Sequence, residues 1–465
     1  MRRFFIPALG LALAALPAPV LLAPAAAGPV EDRVAKARDA ALNEDEVAWD
    51  IVEGLTTEVG PRMAGTEAEA RAREWGLARL KTLGFANVRI ETCDMPVWVR
   101  GEERASIVAP FPAKLAVTAL GNSAATPAGG IEAEIVYFAS LADLQAAPEG
   151  SLKGTIAFVS HAMKPTQNGS SYGVFGAVRR AGPGVAAQKG AVAIVIRSVG
   201  TDYHRNPHAG GTAFPAGVSA IPAAAMSIPD AENLERILKR GKPVRMKLLL
   251  TPIFTPKGQS GNVVAEVPGS DPAAGIITIG GHLDSWDLAT GAIDDAAGVA
   301  ITTAAARRVM AAGTPKRTIR IVWFGAEEVG GCGGPAYLER HKADIHALTA
   351  ESDFGADRVW NFETSFPETA KPLADRIAYA LAPLGIGRSK DPAHGGSDIE
   401  PLVKAGVPVI DLQQDGTRYF DIHHTPDDTL DKIDPAQLRQ NVAAWTAMLL
   451  LAANAPESLA AVPQK

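Results

Sequence analysis

The sequence predicts an α/β protein built on a mostly parallel, doubly wound sheet with a β-rich module set into it. Three observations lead there. After Ser260, short apolar runs alternate with helical stretches, the pattern of parallel strands joined by crossover helices. From about Gly121 to Leu250 the texture changes to short β-rich runs separated by loops rich in Gly, Ser and Asn. With 465 residues, 47% of them hydrophobic, the chain can build a substantial core, which excludes wholesale disorder.

In chain order, Met1-Arg2-Arg3 is a positive start, Phe4 to Leu22 is apolar, and Ala25-Ala26-Ala27 offers small residues for cleavage. This reads as a signal peptide over residues 1–27 and implies export, periplasmic or secreted. Pro7, Pro17, Pro19 and Pro24 interrupt the run, and no stop-transfer charges follow, so stable membrane insertion is not expected. Residues 28–120 read as the first part of the main domain. Glu31 to Leu83 has helical spacing, broken by a Gly- and Pro-punctuated loop from Val59 to Thr66, and Phe85 to Val99 reads as a strand. Residues 121–252 form the expected module, with strands at Ala133–Phe138, Gly154–Val159 and Ala191–Ile196 and a loop from Lys164 to Gly176. Residues 253–465 complete the main domain. Strands are expected at Gly275–Gly280, Thr318–Phe324, Ala347–Glu351 and Val407–Leu412, with helices at Ala296–Ala312 and Pro335–Lys342.

The net charge is −6, which gives no basic surplus for binding nucleic acid. Cys93 and Cys332 are the two cysteines, too few for a disulfide scaffold or a cysteine-held zinc module. They could pair after export or remain buried thiols.

Polar clusters sit just past each apolar strand. The first strand leads into His282-Leu-Asp284-Ser-Trp-Asp287 and then Asp294-Asp295, the second into Glu327-Glu328, the third into Asp353 and the fourth towards His423-His424. Active sites of wound sheets gather at such strand ends. Histidine and carboxylate donors without cysteine are a catalytic rather than a structural zinc set. They are too many for one open tetrahedral site and suit two ions sharing a carboxylate. Glu327, left over beside them, fits a general base. Singly, each piece has a plainer reading: an Asp pair opening a helix is usually a cap, and a Glu pair is usually a solvated helix start. Their joint occurrence at four strand ends favours the metal site.

These motifs, together with Gly60-Pro61-Arg62 and His394-Gly395-Gly396-Ser397-Asp398, resemble the co-catalytic zinc aminopeptidase and carboxypeptidase family. Lys189-Gly-Ala-Val-Ala-Ile194 and Ile221-Pro-Ala-Ala224 resemble an inserted protease-associated domain. The resemblance implies the zinc exopeptidase fold and two zinc ions bridged by Asp294. His282 and Asp353 would complete one site, and Glu328 and His424 the other. Glu327 would be the general base, and Asp284 would orient the His282 ring. The resemblance also implies a cis peptide between Asp294 and Asp295. His394 is expected to stabilise the oxyanion, and His423 competes with His424 as ligand. The implied activity is hydrolysis of short peptides, foremost dipeptides, possible as a homodimer. Amino- versus carboxypeptidase action stays open, with Asp287, Arg62 and Arg418 as candidates for recognising a substrate terminus. A single-zinc cyclase of the glutaminyl cyclase kind and a non-catalytic binding protein are the rivals, and the complete ligand set speaks against both. His161, His204 and His208 in the module read as structural or surface residues.

Overall fold

The computed structural model describes residues 29–459. The leader expected over residues 1–27 lies outside the described residues. Two eight-stranded sheets account for the strands among the described residues. The first carries the motif residues, and its spatial order is Ala86–Val99, Ile253–Val267, Thr318–Phe324, Ile276–His282, His346–Glu351, Val409–Gln414, Val359–Ser365, Gly387–Arg388.

The four strands from Thr318–Phe324 to Val409–Gln414 run parallel. Ile253–Val267 flanks them antiparallel on one side and Val359–Ser365 on the other. The sheet is therefore mixed, with the expected parallel arrangement confined mainly to its middle. Alternation along these strands explains why helices cover both faces. Val263, Ala265, Ile277, Ile279, Ile319, Ile321 and Trp323 face one core, whereas Val264, Val322 and Phe324 face another with Tyr337, Ile399 and Leu402. Helices Pro29–Glu44, Ala297–Ala311 and Pro435–Asn454 cover the first face. The last of these is buried at every residue from Gln440 to Ala453, so it is a core helix rather than an amphipathic one. Gly333–His341 and Glu400–Lys404 cover the second face. No helix among the described residues is long and apolar enough to cross a membrane.

The second sheet is ordered Ala113–Leu115, Glu103–Ala109, Arg245–Leu250, Ile131–Phe138, Ile156–Val159, Ala193–Arg197, Ala223–Met226, Val117–Ala119. Three of its strands precede Gly121, in the segment assigned from sequence to the main domain. Two of them are held by pairing with strands far along the chain, Glu103–Ala109 with Arg245–Leu250 and Val117–Ala119 with Ala223–Met226, while Ala113–Leu115 pairs with Glu103–Ala109. The Lys164–Gly176 segment differs from the expected loop, because Ser170–Phe175 forms a short helix. None of its residues is buried, so no apolar period could mark it.

Cys93 and Cys332 form a disulfide across 239 residues of sequence. It joins the edge strand Ala86–Val99 to the turn that carries Glu327 and Glu328.

Gly280 shows how closely the central strands are fitted. A Cβ there would lie 2.0 Å from the Val322 carbonyl oxygen, which is held in the neighbouring strand. Gly280→Ala is expected to cost about 3 kcal/mol, the upper range for overpacking, read as a lower denaturant midpoint. An unchanged midpoint would contradict this account of the sheet.

Candidate metal centre

Each motif residue sits where a central strand ends. His282 closes the strand Ile276–His282, and Asp294 lies in the following turn, Ala292–Ala296, which leads into helix Ala297–Ala311. Glu328 follows Thr318–Phe324 and Asp353 follows His346–Glu351. His424 follows the one-turn helix Tyr419–Ile422 beyond Val409–Gln414.

The structure brings these five side chains together, with Asp294 at the centre. His282 Nε2 lies 3.1 Å from Asp294 Oδ1 and 3.3 Å from Asp353 Oδ1. His424 Nε2 lies 3.1 Å from Asp294 Oδ2 and 3.0 Å from Glu328 Oε2. Asp294 thus offers one oxygen to each histidine. His423 stacks on the His424 ring and stands 3.5 Å from the Asp294 carboxylate, so His424 is the nearer of the two.

The neighbouring Asp295 does the plainer job of an Asp at a helix start. Its carboxylate accepts from the Gly298 amide (2.9 Å) and from the His282 amide (3.0 Å), capping the helix and tying down the strand end. The peptide between Asp294 and Asp295 is cis. Gly298 allows the helix to approach, since a Cβ there would meet the Ser352 carbonyl.

Asp284 differs from expectation. The His282 ring Nδ1 meets the main-chain carbonyl of Asp284 at 2.9 Å, whereas the Asp284 carboxylate is 3.8 Å away. That carboxylate instead accepts from the amides of Glu327 (3.0 Å) and Glu328 (3.2 Å). The side chain turns towards these donors because the Glu pair follows a turn in which Ala326 has φ +62°, exposing two successive amides. Glu327 stands beside Glu328 and lines a cavity of about 490 Å³ in front of the cluster. His394 also differs from expectation. It is exposed, with its amide held by Asp411 at 2.8 Å, and it is Gly395, Gly396 and Ser397 that line the cavity. A solvated imidazole lacks the low-dielectric setting that makes an oxyanion donor effective.

The candidates for terminus recognition are all engaged elsewhere. Arg62 is fully buried, donating to the carbonyls of Leu283, Thr290 and Gly291. It therefore holds the loop between His282 and Asp294. Asp287 pairs with Arg100, and Arg418 with Asp357.

Burial raises the pKa of Glu328 to about 8, of Asp353 to about 7 and of Asp284 to about 6. Burial also raises that of Asp294, but hydrogen bonds from His282 and His424 bring it well below the ordinary value. Dehydrated carboxylates packed this closely require a cation. Glu328 Oε1 is buried with no hydrogen-bond donor. Nitrogen and oxygen donors of this kind fit zinc, and two candidate metal-holding groups among the described residues share Asp294: one adds His282 and Asp353, the other His423 and His424, with Glu328 beside His424.

Sequence reasoning missed the contribution of the second sheet. The loop Thr201–Ala209 grips the segment Phe420–Asp427. Thr201 donates to the Phe420 carbonyl (3.0 Å) and to Asp421 (2.7 Å), and Asn206 to Asp427 (2.9 Å). The Ala209 amide donates to the His424 carbonyl (2.9 Å), while the Ala209 carbonyl lies 3.2 Å from His424 Nδ1. His208 is buried, bridging the Asp202 carboxylate (2.5 Å) and the His423 carbonyl (2.7 Å). His208 is structural, as expected, yet what it supports is the loop that carries His423 and His424. Trp286 was also missed. Its indole N–H donates to Glu328 Oε2 at 2.6 Å.

Residues 262–449 match the model of peptidase family M28. Carboxypeptidase Q of Mus musculus is 35% identical over 409 residues, covering 87% of this chain and 85% of the relative. The solved structure of a peptidase M28 precursor from Shewanella amazonensis SB2B superposes with a TM-score of 0.90 at 46% identity, over 94% of this chain and 99% of that one. A zinc aminopeptidase from Bacillus subtilis shares the fold, with a TM-score of 0.61 at 18% identity over 90% of this chain and 98% of that one. With this geometry at its strand ends and these relatives over most of its length, the chain belongs to peptidase family M28 and is a zinc metallo-exopeptidase.

Proposed function

We propose that the chain is an exported exopeptidase that holds two zinc ions and hydrolyses short peptides, dipeptides among them. One observation carries this reading: Asp294 presents its two oxygens to two histidines, each of which faces a further carboxylate of its own. In this reading His282 and Asp353 hold one ion, Glu328 and His424 the other, and Asp294 both. Bound zinc would acidify water and polarise the scissile carbonyl.

The protein's own groups do the remaining work. Glu327, on the cavity wall beside the cluster, takes a proton from the attacking water and returns it to the leaving amine. Asp284 fixes Glu327 by receiving its amide and that of Glu328, so both side chains leave the turn in set directions. Arg62 fixes the loop that sets the His282–Asp294 spacing. The leader over residues 1–27 supplies export, and the second sheet is the protease-associated module.

A single-zinc cyclase fits less well, because the shared Asp294 would leave one histidine–carboxylate set without a purpose. Metal analysis separates the two readings. Two zinc equivalents per chain, with activity lost to a chelator and restored by zinc, is the expected result, and one equivalent favours the cyclase. Glu327→Gln is expected to lower kcat on a dipeptide at least about 100-fold with zinc content unchanged. Retention of kcat would remove Glu327 from the mechanism. His208→Ala releases the His423 carbonyl and should weaken zinc retention about 10- to 100-fold, measured by competition with a chelator. Unaltered zinc affinity would show that the Thr201–Ala209 grip is dispensable.

A further inference from the structure

The segment Gly325–Gly333 carries Glu327 and Glu328, and its two ends meet. The Gly333 amide donates to the Gly325 carbonyl at 3.1 Å, so the segment closes into a loop. Asn262, on strand Ile253–Val267, reaches both ends of that closure with one side chain. Its Oδ1 accepts from the Gly325 amide at 3.0 Å, and its Nδ2 donates to the Gly333 carbonyl at 3.0 Å.

The clamp sits where a strand pair gives out. Pairing of Ile253–Val267 with Thr318–Phe324 ends at Val263 opposite Trp323. Past Phe324 the chain turns towards the site, and the Gly325 amide takes a side-chain acceptor in place of a strand carbonyl. On the same face of the strand, Val264 belongs to an apolar core. Asn262 is buried, and a primary amide at that depth is tolerated only with its hydrogen bonds made. Both of its bonds go to the loop, so the loop accounts for an Asn in this row.

The closure leaves no slack. A Cβ on Gly333 would lie 2.4 Å from the Gly325 carbonyl oxygen and 2.6 Å from Asn262 Oδ1. Between the clamped Gly325 and Glu327 stands only Ala326, whose φ of +62° is disfavoured for a residue with a Cβ. The Ala326 carbonyl accepts from Gly331 inside the loop at 2.6 Å, and Asp284 receives the amides of Glu327 and Glu328 from outside it. Asn262 therefore fixes the base of the loop and Asp284 its far side. Released at its base, Ala326 would relax to ordinary angles and turn both carboxylates away from their present directions.

We propose that Asn262 is a positioning residue for the reaction: by clamping Gly325 and Gly333 it aims Glu327 at the attacking water and Glu328 at the side of the cluster that holds His424. This rests on the roles given to Glu327 and Glu328 above. Wild type, Asn262→Leu and Asn262→Asp are compared. Leu makes neither bond, whereas Asp keeps the shape and the acceptor and donates to the Gly333 carbonyl only when protonated. Asn262→Leu is expected to lower kcat on a dipeptide about 10- to 100-fold with KM within about twofold, the effect of a misaimed catalytic group. It should also speed hydrogen exchange across residues 325–334, with zinc and without it. Burial raises the pKa of the introduced carboxyl. The kcat of Asn262→Asp relative to wild type should therefore be highest at low pH and fall as pH rises through that pKa, while the ratio for Asn262→Leu stays flat. Wild-type kcat in Asn262→Leu, or unaltered exchange across the loop, overturns the proposal and leaves the peptidase intact. If Asn262→Leu does not fold, Asn262→Asp decides alone, and a ratio independent of pH overturns the proposal. A wild type that cleaves no dipeptide overturns the peptidase reading and the catalytic role of Asn262 with it, and faster exchange in Asn262→Leu would then show a clamp that serves the fold alone.

Discussion

Buried negative charge is the constraint around which this molecule is arranged. Asp284, Asp294, Asp295 and Glu351 are withdrawn from water at the ends of neighbouring strands. Such groups repel one another and lose hydration, so each needs a donor or a cation. The fold meets part of that need with main-chain amides. Asp295 takes those of Gly298 and His282, Asp284 those of Glu327 and Glu328, and Glu351 those of Asp398 and Ile399. Asp294 and Asp353 face the histidines, and Glu328 faces His424 and the Trp286 indole N–H. The carboxylates that amides satisfy shape the turns, and those left over form the site.

This division explains why the parallel middle of the sheet matters and the antiparallel flanks matter less. Parallel strands end on the same edge, so turns from four of them meet there without long connections. The edge strand Ala86–Val99 contributes no ligand, but its disulfide to Cys332 fastens the turn bearing the Glu pair. The second sheet reaches the same edge from outside, through Thr201–Ala209 and through the helix that carries Arg179 and Arg180. The strand-end side of the cavity thus holds the carboxylates and histidines, and the added side holds Tyr172 and two arginines.

Much of this was legible in the sequence because it is local. An apolar run followed at once by His, Asp or Glu marks both a strand and what its end carries, so Ile276–His282, Thr318–Phe324 and His346–Glu351 lie within two residues of their expected positions. What could not be read depends on distant contacts. His208 meets His423 across 215 residues and Arg179 meets His424 across 245. No local period separates a surface arginine from one packed against a ligand ring. Arg62 was misjudged as a candidate for substrate recognition for a related reason. A loop arginine is normally solvated, and only the three carbonyls that converge on it make full burial tolerable. The role expected of Asp284 came from the family resemblance, whereas its orientation is set by amides of another strand's turn.

Coupling between the two sheets follows from the same contacts. His424 has φ +61°, a conformation disfavoured for a residue with a side chain, and its own carbonyl and that of His423 are held from the second sheet by Ala209 and His208. A loop held in that conformation by Ala209 and His208 keeps the His424 imidazole beside Asp294 and Glu328. Without those bonds the loop would relax towards ordinary backbone angles, and the histidine would leave Asp294 and Glu328 facing each other uncompensated. The second sheet therefore shares in the energetics of the candidate metal centre as well as forming a wall of its cavity.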